Sequence, residues 1–104
     1  SFANEMNLIC NHLDIDYCKV LEFAKFDERL GDSHWNVPGP DGDYGFGGSC
    51  FPKDLNGLIY FCKKNNIQIN TLMGVWKTNL NVRLDQDWKK LKGRAVIENE
   101  KNDK

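Results

Sequence analysis

A ten-residue segment, GFGGSCFPKD over positions 45–54, places a thiol where a glycine-rich loop meets the expected start of a helix. A helix N-terminus carries partial positive charge and unpaired N–H donors, which favour a thiolate over a thiol. Cys50 is therefore the candidate nucleophile. Because Gly47 and Gly48 have no side chains, the N–H groups of the loop can approach an anion or a developing oxyanion closely.

Two charged residues follow this cysteine. Asp54 lies four positions after Cys50, about one helical turn along, where it can act on a water molecule near the sulfur. Lys53 can supply positive charge to the thiolate or to a bound phosphate. Each residue also has a simpler interpretation, since a cysteine is commonly a small buried side chain and Asp54 can merely stabilise the first turn. The combination is what indicates a catalytic site.

The other cysteines and the two histidines do not predict a metal site. None of the four cysteines forms a CxxC pair, and their spacing relative to His12 and His34 does not match structural zinc sites. We expect no bound metal and reduced thiols in a cytoplasmic protein. The two histidines are expected at the surface or in loops. Helix packing is the expected role of Cys10, Cys18 and Cys62.

Four amphipathic helices are predicted to position the segment, which gives an all-α fold. The first is under way at Ser1, Asp16 is the N-cap of the second, Pro52 is the first residue of the third, and the fourth runs over 71–89. The predicted apolar stripes are Phe2, Met6, Ile9 and Leu13; Tyr17, Val20, Leu21 and Ala24; Leu55, Leu58, Ile59 and Cys62; and Leu72, Val75, Trp76, Leu80 and Arg83.

A long loop separates the second and third predicted helices. Six of the nine glycines and two of the three prolines lie between Gly31 and Gly48. Loops longer than about 12 to 15 residues are uncommon in compact domains unless they are functional or disordered. The chain of 104 residues is expected to form one helical domain over 1–90, with this Gly/Pro-rich active-site loop, followed by a polar C-terminal tail over 91–104.

Composition argues against two classes of partner. The 14 Lys and Arg residues balance 15 Asp and Glu residues, so no general attraction to nucleic acid is expected. No apolar run approaches the roughly 20 residues that span a bilayer. We expect neither nucleic-acid nor membrane partners.

The segment GFGGSCFPKD resembles the catalytic-cysteine loop of the UDP-glucose 6-dehydrogenase family. Further similar segments are Ser1–Met6, Asp27–Gly31, Val37–Gly42 and Asn79–Asn81. The related GDP-mannose dehydrogenases have similar loops, so the resemblance leaves the nucleotide sugar open.

The resemblance implies a helical central domain similar to the C-terminal domain of 6-phosphogluconate dehydrogenase. In the family this domain follows an NAD-binding Rossmann domain, and usually precedes a second domain that binds UDP. No strand followed by GxGxxG is recognisable in the chain, so NAD would be bound by an upstream domain absent from it, and the chain alone is expected to be inactive. The resemblance is taken to place the family's catalytic Lys and Asn before Ser1, with Asn4 as a polar position of the first helix.

The resemblance also implies residue roles in a double oxidation of UDP-glucose to UDP-glucuronate. The Cys50 thiolate would attack the intermediate aldehyde, and oxidation of the thiohemiacetal would give a thioester. Asp54 would assist water activation and proton transfer. Arg29 would reach substrate bound by the neighbouring subunit, which requires a homodimer. The residues implied to contact substrate are Arg29, Phe46, Gly47, Gly48, Ser49 and Lys53.

Two other functions fit the residues. One is a non-enzymatic helical interaction module, in which the glycine loop contacts a partner and the thiol is incidental. The other is a Cys–His hydrolase that uses Cys50 with His34 or His12.

Overall fold

The computed structural model describes residues 1–91, which form four α-helices and two short 3₁₀ helices. The α-helices are α1 (Phe2–His12), α2 (Tyr17–Ala24), α3 (Cys50–Lys64) and α4 (Asn70–Val82); the 3₁₀ helices are Glu28–Leu30 and Asp87–Lys90. This part of the chain contains no strand, which confirms the all-α prediction. None of its helices combines the length and apolar character that crossing a bilayer requires. The predicted polar tail lies, apart from Leu91, outside the described residues.

The starts of α2 and α3 follow from local sequence. The Asp16 carboxylate accepts a hydrogen bond from the Cys18 N–H at 2.9 Å, which confirms the predicted N-cap. The prediction that Pro52 is the first residue of helix α3 was wrong. Helix α3 begins at Cys50, so Pro52 is its third residue. A proline is tolerated there because the first four N–H groups of a helix have no acceptor within the helix.

Helix α4 is shorter than predicted. It ends at Val82 and not at Lys89, and the backbone of Arg83 is extended, with ψ of 125°. The Asp43 carboxylate accepts hydrogen bonds from the N–H groups of Leu84 and Asp85 at 3.2 and 2.8 Å. These bonds satisfy donors that a continuing helix would pair internally, so the chain leaves the helix at this point.

The helices pack as a chain of neighbours, with α1 against both α2 and α4, and α3 against α4. The long loop packs onto the first two helices through Trp35. Its carbonyl accepts from the Tyr17 hydroxyl at 2.7 Å, and its indole N–H donates to the Leu30 carbonyl at 3.2 Å. The core cluster consists of Ala3, Cys10, Tyr17 and Leu21, with Met6, Trp35 and Val37 packed against it.

Burial differs from the prediction on each of the four α-helices. The apolar stripe of α1 is exposed at Phe2, Ile9 and Leu13, whereas the expected polar position Asn4 is buried. Cys18, expected to pack, is exposed because its helix buries the face of Tyr17 and Leu21. The other outlying positions of the predicted stripes, Val20, Ala24, Leu58 and Leu80, are exposed as well. The packing roles predicted for Cys10 and Cys62 are confirmed, since both are buried.

Candidate active site

Cys50 is the first residue of α3, and its side chain is exposed. Ser49 precedes it at the N-cap position, without a capping hydrogen bond from its side chain. The Ser49 Oγ lies 3.9 Å from the Cys50 Sγ. The thiol therefore stands at the positive end of a 15-residue helix, accessible from solvent.

Asp54 and Lys53 lie on the first turns of the same helix. Their side chains form an ion pair, with 3.4 Å between Lys53 Nζ and Asp54 Oδ1, and both are more than half exposed. Residues four apart on a helix are neighbours, with Cβ atoms about 5 to 6 Å apart. The carboxylate of Asp54 therefore lies on the same side of α3 as Cys50.

A cavity of about 650 Å³ lies against the start of α3. Asp54 and Phe51 line it, but Cys50 is not among the lining residues. From the loop, His34 also lines it, with its ring centroid 6.1 Å from that of Phe51. The remaining lining residues are Ser1, Ala3, Asn4, Asn36, Gly39, Pro40, Asp41, Gly45, Phe46, Gly47, Leu55 and Val75. The cavity is therefore bordered by α1, by the long loop between α2 and α3, and by α3.

Two buried asparagines hold the loop in place. Asn79 on α4 has no exposed surface, and its amide pairs with the backbone of Phe46. Its Nδ2 donates to the Phe46 carbonyl at 2.9 Å, and its Oδ1 accepts from the Phe46 N–H at 2.7 Å. Asn4 on α1 accepts from the Gly45 N–H at 3.0 Å. Asn4 is therefore a buried anchor of the loop that also lines the cavity, and not only a polar position on a helix.

Arg83 forms a third anchor. Its side chain is 2% exposed and faces three carboxylates, Asp41 at 2.8 Å and Asp43 and Asp87 at 3.5 Å. The prediction that placed Arg83 on an apolar stripe identified a buried position, but its neighbours are acidic. Hydrogen bonding from the Arg83 guanidinium lowers the pKa of the Asp41 carboxyl.

The loop N–H groups differ in availability. The Phe46 N–H is bonded to Asn79, and the Gly48 N–H donates to both Asp87 carboxylate oxygens at 3.0 and 3.2 Å. Within residues 1–91, the N–H groups of Gly47 and Ser49 form no such hydrogen bond, so a ligand that contacts them displaces no internal acceptor.

Arg29 lies apart from this cavity, on the 3₁₀ helix that follows α2. Its side chain is 90% exposed and pairs with Asp27, with Nη2 and Oδ2 2.6 Å apart. This hydrogen bond lowers the pKa of the Asp27 carboxyl. Of the predicted site residues, the structure thus places Phe46, Gly47 and Asp54 on the cavity, with Cys50 next to Phe51 in the chain. The cavity lining does not include the other predicted residues, namely Gly48, Ser49, Lys53 and Arg29.

The described residues offer no group of three potential metal ligands among His, Cys, Asp and Glu. Neither histidine is hydrogen-bonded to Cys50 in this part of the chain, although His34 lines the cavity. His12 is exposed at the end of α1.

Sequence reasoning missed the anchors of the loop. Asn4 and Asn79 have ordinary polar side chains on helices, and nothing local distinguishes them from surface residues. For Arg83 a signal existed, because a charged residue on an apparently buried stripe must be paired. The three aspartates near the loop and after α4, namely Asp41, Asp43 and Asp87, were the available partners.

The sequence profile described as "UDP-glucose/GDP-mannose dehydrogenase family, central domain" matches residues 1–81. The chain belongs to this family. Similar curated proteins include UDP-glucose 6-dehydrogenase from Rickettsia bellii, 37% identical over 79 residues, and UDP-glucose 6-dehydrogenase TuaD from Bacillus subtilis, 33% identical over 79 residues. UDP-glucose 6-dehydrogenase 1 from Arabidopsis thaliana is 36% identical over 67 residues.

These alignments cover much of the chain but little of the relatives. They span 76%, 76% and 64% of the chain, and 17%, 16% and 13% of the respective relatives. The comparison with solved structures gave no significant match. The family therefore rests on sequence similarity.

Proposed function

We propose that the chain is the central domain of an NAD-dependent UDP-glucose 6-dehydrogenase and supplies its catalytic cysteine, Cys50. The observation that carries this proposal is the exposed thiol at the first residue of α3, beside a cavity that its neighbours Phe51 and Asp54 line. Three curated relatives with this activity in their names are 33 to 37% identical to the chain. UDP-glucose is the proposed substrate, and GDP-mannose or another nucleotide sugar is the alternative.

The proposed step at sulfur follows from the chemistry of a thiolate. Cys50 Sγ adds to the carbonyl carbon of the intermediate aldehyde, so that a C–S bond forms and the oxygen becomes the thiohemiacetal hydroxyl after protonation. Loss of hydride from that carbon to NAD, together with loss of the hydroxyl proton, would give a thioester, and water would then break the C–S bond to release the carboxylate, the Cys50 thiolate and two protons. The helix N-terminus stabilises the charge on sulfur at the start and end of this sequence.

NAD would accept the hydride in both oxidations. Residues 1–91 contain no strand followed by a glycine-rich turn, and so do not fit a dinucleotide by the usual fold. We therefore assign NAD binding to another domain.

The other roles concern charge and position. Asp54 is proposed to take a proton from the attacking water, and its exposure leaves it in contact with solvent. Lys53 and the N–H groups of Gly47 and Ser49 are proposed to contact substrate. The predicted contacts from Phe46 and Gly48 would then involve groups other than their N–H, which are paired internally.

Two features of the assembly belong to the same proposal. Arg29 would act on substrate in a partner subunit of a homodimer, which agrees with its exposure away from the cavity of its own chain. The proposed compartment is the cytoplasm, because a catalytic thiol must stay reduced and cytosolic reductants keep it so.

The test is a chimeric enzyme in which residues 1–91 replace the corresponding segment of the Rickettsia bellii dehydrogenase. NAD reduction is measured with UDP-glucose and with GDP-mannose. We expect turnover with UDP-glucose, its loss in Cys50→Ala, and in Asp54→Asn a decrease of at least tenfold with accumulation of a covalent intermediate visible by mass spectrometry. Cys18→Ala is the matched control, an exposed cysteine on another helix. Turnover unchanged in Cys50→Ala would refute the assignment.

The alternatives give different results. A Cys–His hydrolase would require a histidine, so His34→Ala would abolish an activity that needs no NAD. In an interaction module, alkylation of the chain would show Cys50 no more reactive than the exposed Cys18 at any pH.

A further inference from the structure

We propose that Arg83 and Asp87 are positioning residues, which hold the glycine loop so that the N–H groups of Gly47 and Ser49 and the thiol of Cys50 face one ligand. This inference rests on the proposed function, since it concerns the same site. The two residues lie beyond residue 81, where the family match ends.

The Arg83 side chain is buried and paired. A guanidinium that is 2% exposed is costly unless its donors are paired. Its Nη2 pairs with Asp41, which lies in the long loop four residues before Gly45. Its Nε donates to the Asp85 carbonyl at 2.8 Å, and its Nη1 donates to the Tyr44 carbonyl at 3.3 Å. The side chain thus bonds to the loop on one side and to the segment after α4 on the other.

Arg83 fits closely against Gly47. A Cβ atom added to Gly47 would collide with Arg83 Nη2 and lie 2.6 Å from its Cζ. The absence of a side chain at position 47 therefore lets the loop lie directly on the guanidinium. The planar group supports the peptide that presents the Gly47 N–H.

Asp87 is hydrogen-bonded directly to the loop at Gly48. Its carboxylate accepts the Gly48 N–H and also lies 3.5 Å from Arg83 Nη2. Gly48 is two residues before Cys50, and its φ of 79° is a conformation that favours glycine. Asp87 therefore holds Gly48, the residue immediately before the N-cap of α3, and through it the position of the Cys50 thiol relative to the loop.

Two measurements test this inference. The first uses the chain itself and compares Asp87→Ala with Asp87→Asn, whose side-chain oxygen can still accept the Gly48 N–H. We expect amide hydrogen exchange at Gly48 to become at least tenfold faster in Asp87→Ala and to return to within about threefold of the parent rate in Asp87→Asn. Asp32→Ala, a 95% exposed loop aspartate, is the control. Equal exchange in parent and Asp87→Ala would overturn the inference whether or not the chain is an enzyme.

The second measurement uses the chimeric enzyme. We expect Asp87→Ala to lower kcat at least tenfold with KM for UDP-glucose within threefold, and Asp87→Asn to recover most of kcat. The rate is divided by the amount of folded chimera, measured by circular dichroism, so that a loss of folded protein is separated from a loss of rate per site. An unchanged kcat per site in Asp87→Ala would overturn the positioning role. A parent chimera without turnover would count against the proposed function, while the exchange experiment would still decide the inference.

Discussion

The amide of Asn79, which is fully buried, makes two hydrogen bonds with a single loop residue, Phe46. Such a pairing satisfies the N–H and the carbonyl of Phe46 together, as a neighbouring strand would. The fit is close on this side, because a side chain at Gly45 would collide with Asn79 Oδ1. The loop consequently has one face fixed to α4 and another face left for the cavity.

Replacing Asn79 by alanine tests this support. We expect Asn79→Ala to lower the free energy of unfolding by about 3 kcal/mol, because the partly buried Phe46 N–H and carbonyl would both lose their partner. Urea denaturation of the chain measures the change. Asn81→Ala, two residues along the same helix and exposed, is the control and should change stability by less than about 0.5 kcal/mol. Equal effects of the two substitutions would contradict the structural role of Asn79.

At the residue scale, the sequence predicted the groups with distinctive chemistry and missed those that support them. Cys50 was predicted as the nucleophile because a thiol follows glycines at a helix start, and that role remains a proposal. Asn4 and Asn79 act on loop residues 41 and 33 positions away, and no local pattern indicates such partners. Their importance depends on tertiary contacts that only the folded chain defines.

Helix α4 shows the same contrast at the scale of elements. Helix starts were well predicted where the capping group is adjacent, as for Asp16 and α2. The predicted end of α4 was wrong because the helix ends where the Asp43 carboxylate accepts hydrogen bonds, and Asp43 is 41 positions from Leu84 in the chain. A terminus set by a distant carboxylate has no local signal.

Acid should lower the stability that the hydrogen bonds to the Asp43 carboxylate give to the end of α4. Hydrogen bonds to the Asp43 carboxylate, foremost from the Asp85 N–H, lower its pKa below the ordinary value of 3.8. A carboxyl with a lowered pKa in the folded state contributes stability above its unfolded pKa, about 3.9, and loses that contribution as pH falls through the folded value. We therefore expect the stability advantage of the parent over Asp43→Asn, measured by urea denaturation, to be constant above about pH 5 and to shrink between about pH 4 and pH 2.

The control for this pH dependence is Asp32→Asn, which removes an exposed loop carboxylate that has no hydrogen bond to the α4 terminus. Its difference from the parent should stay small throughout. A stability difference between the parent and Asp43→Asn that does not change with pH would contradict the role assigned to the charge.

For the molecule as a whole, the exposed stripe of α1 is the largest departure from an ordinary amphipathic arrangement. Phe2, Ile9 and Leu13 are 63, 51 and 58% exposed, although they share one face of the helix. The helical periodicity predicted that these residues share a face, but periodicity alone does not say whether a face is covered by the same chain. An apolar face of this kind is suited to burial across a twofold axis.

The proposed homodimer can be tested on this face. We expect the chain to sediment as a dimer at about 100 μM, and Ile9→Glu to sediment as a monomer, because a charge in an apolar interface lacks a partner. Asn11→Glu introduces the same charge on the opposite side of α1 and should leave the dimer intact. A parent chain that stays monomeric at that concentration would count against the dimer and against Arg29 acting across it.

The contact between Gly47 and the Arg83 guanidinium has a consequence for how this site diverges. A larger residue at position 47 needs the space that the guanidinium fills, and a smaller residue at position 83 leaves an empty space beneath the loop. In distant homologues the two positions should therefore vary together, as a correlated pair separated in the chain by α3, α4 and the loop between them.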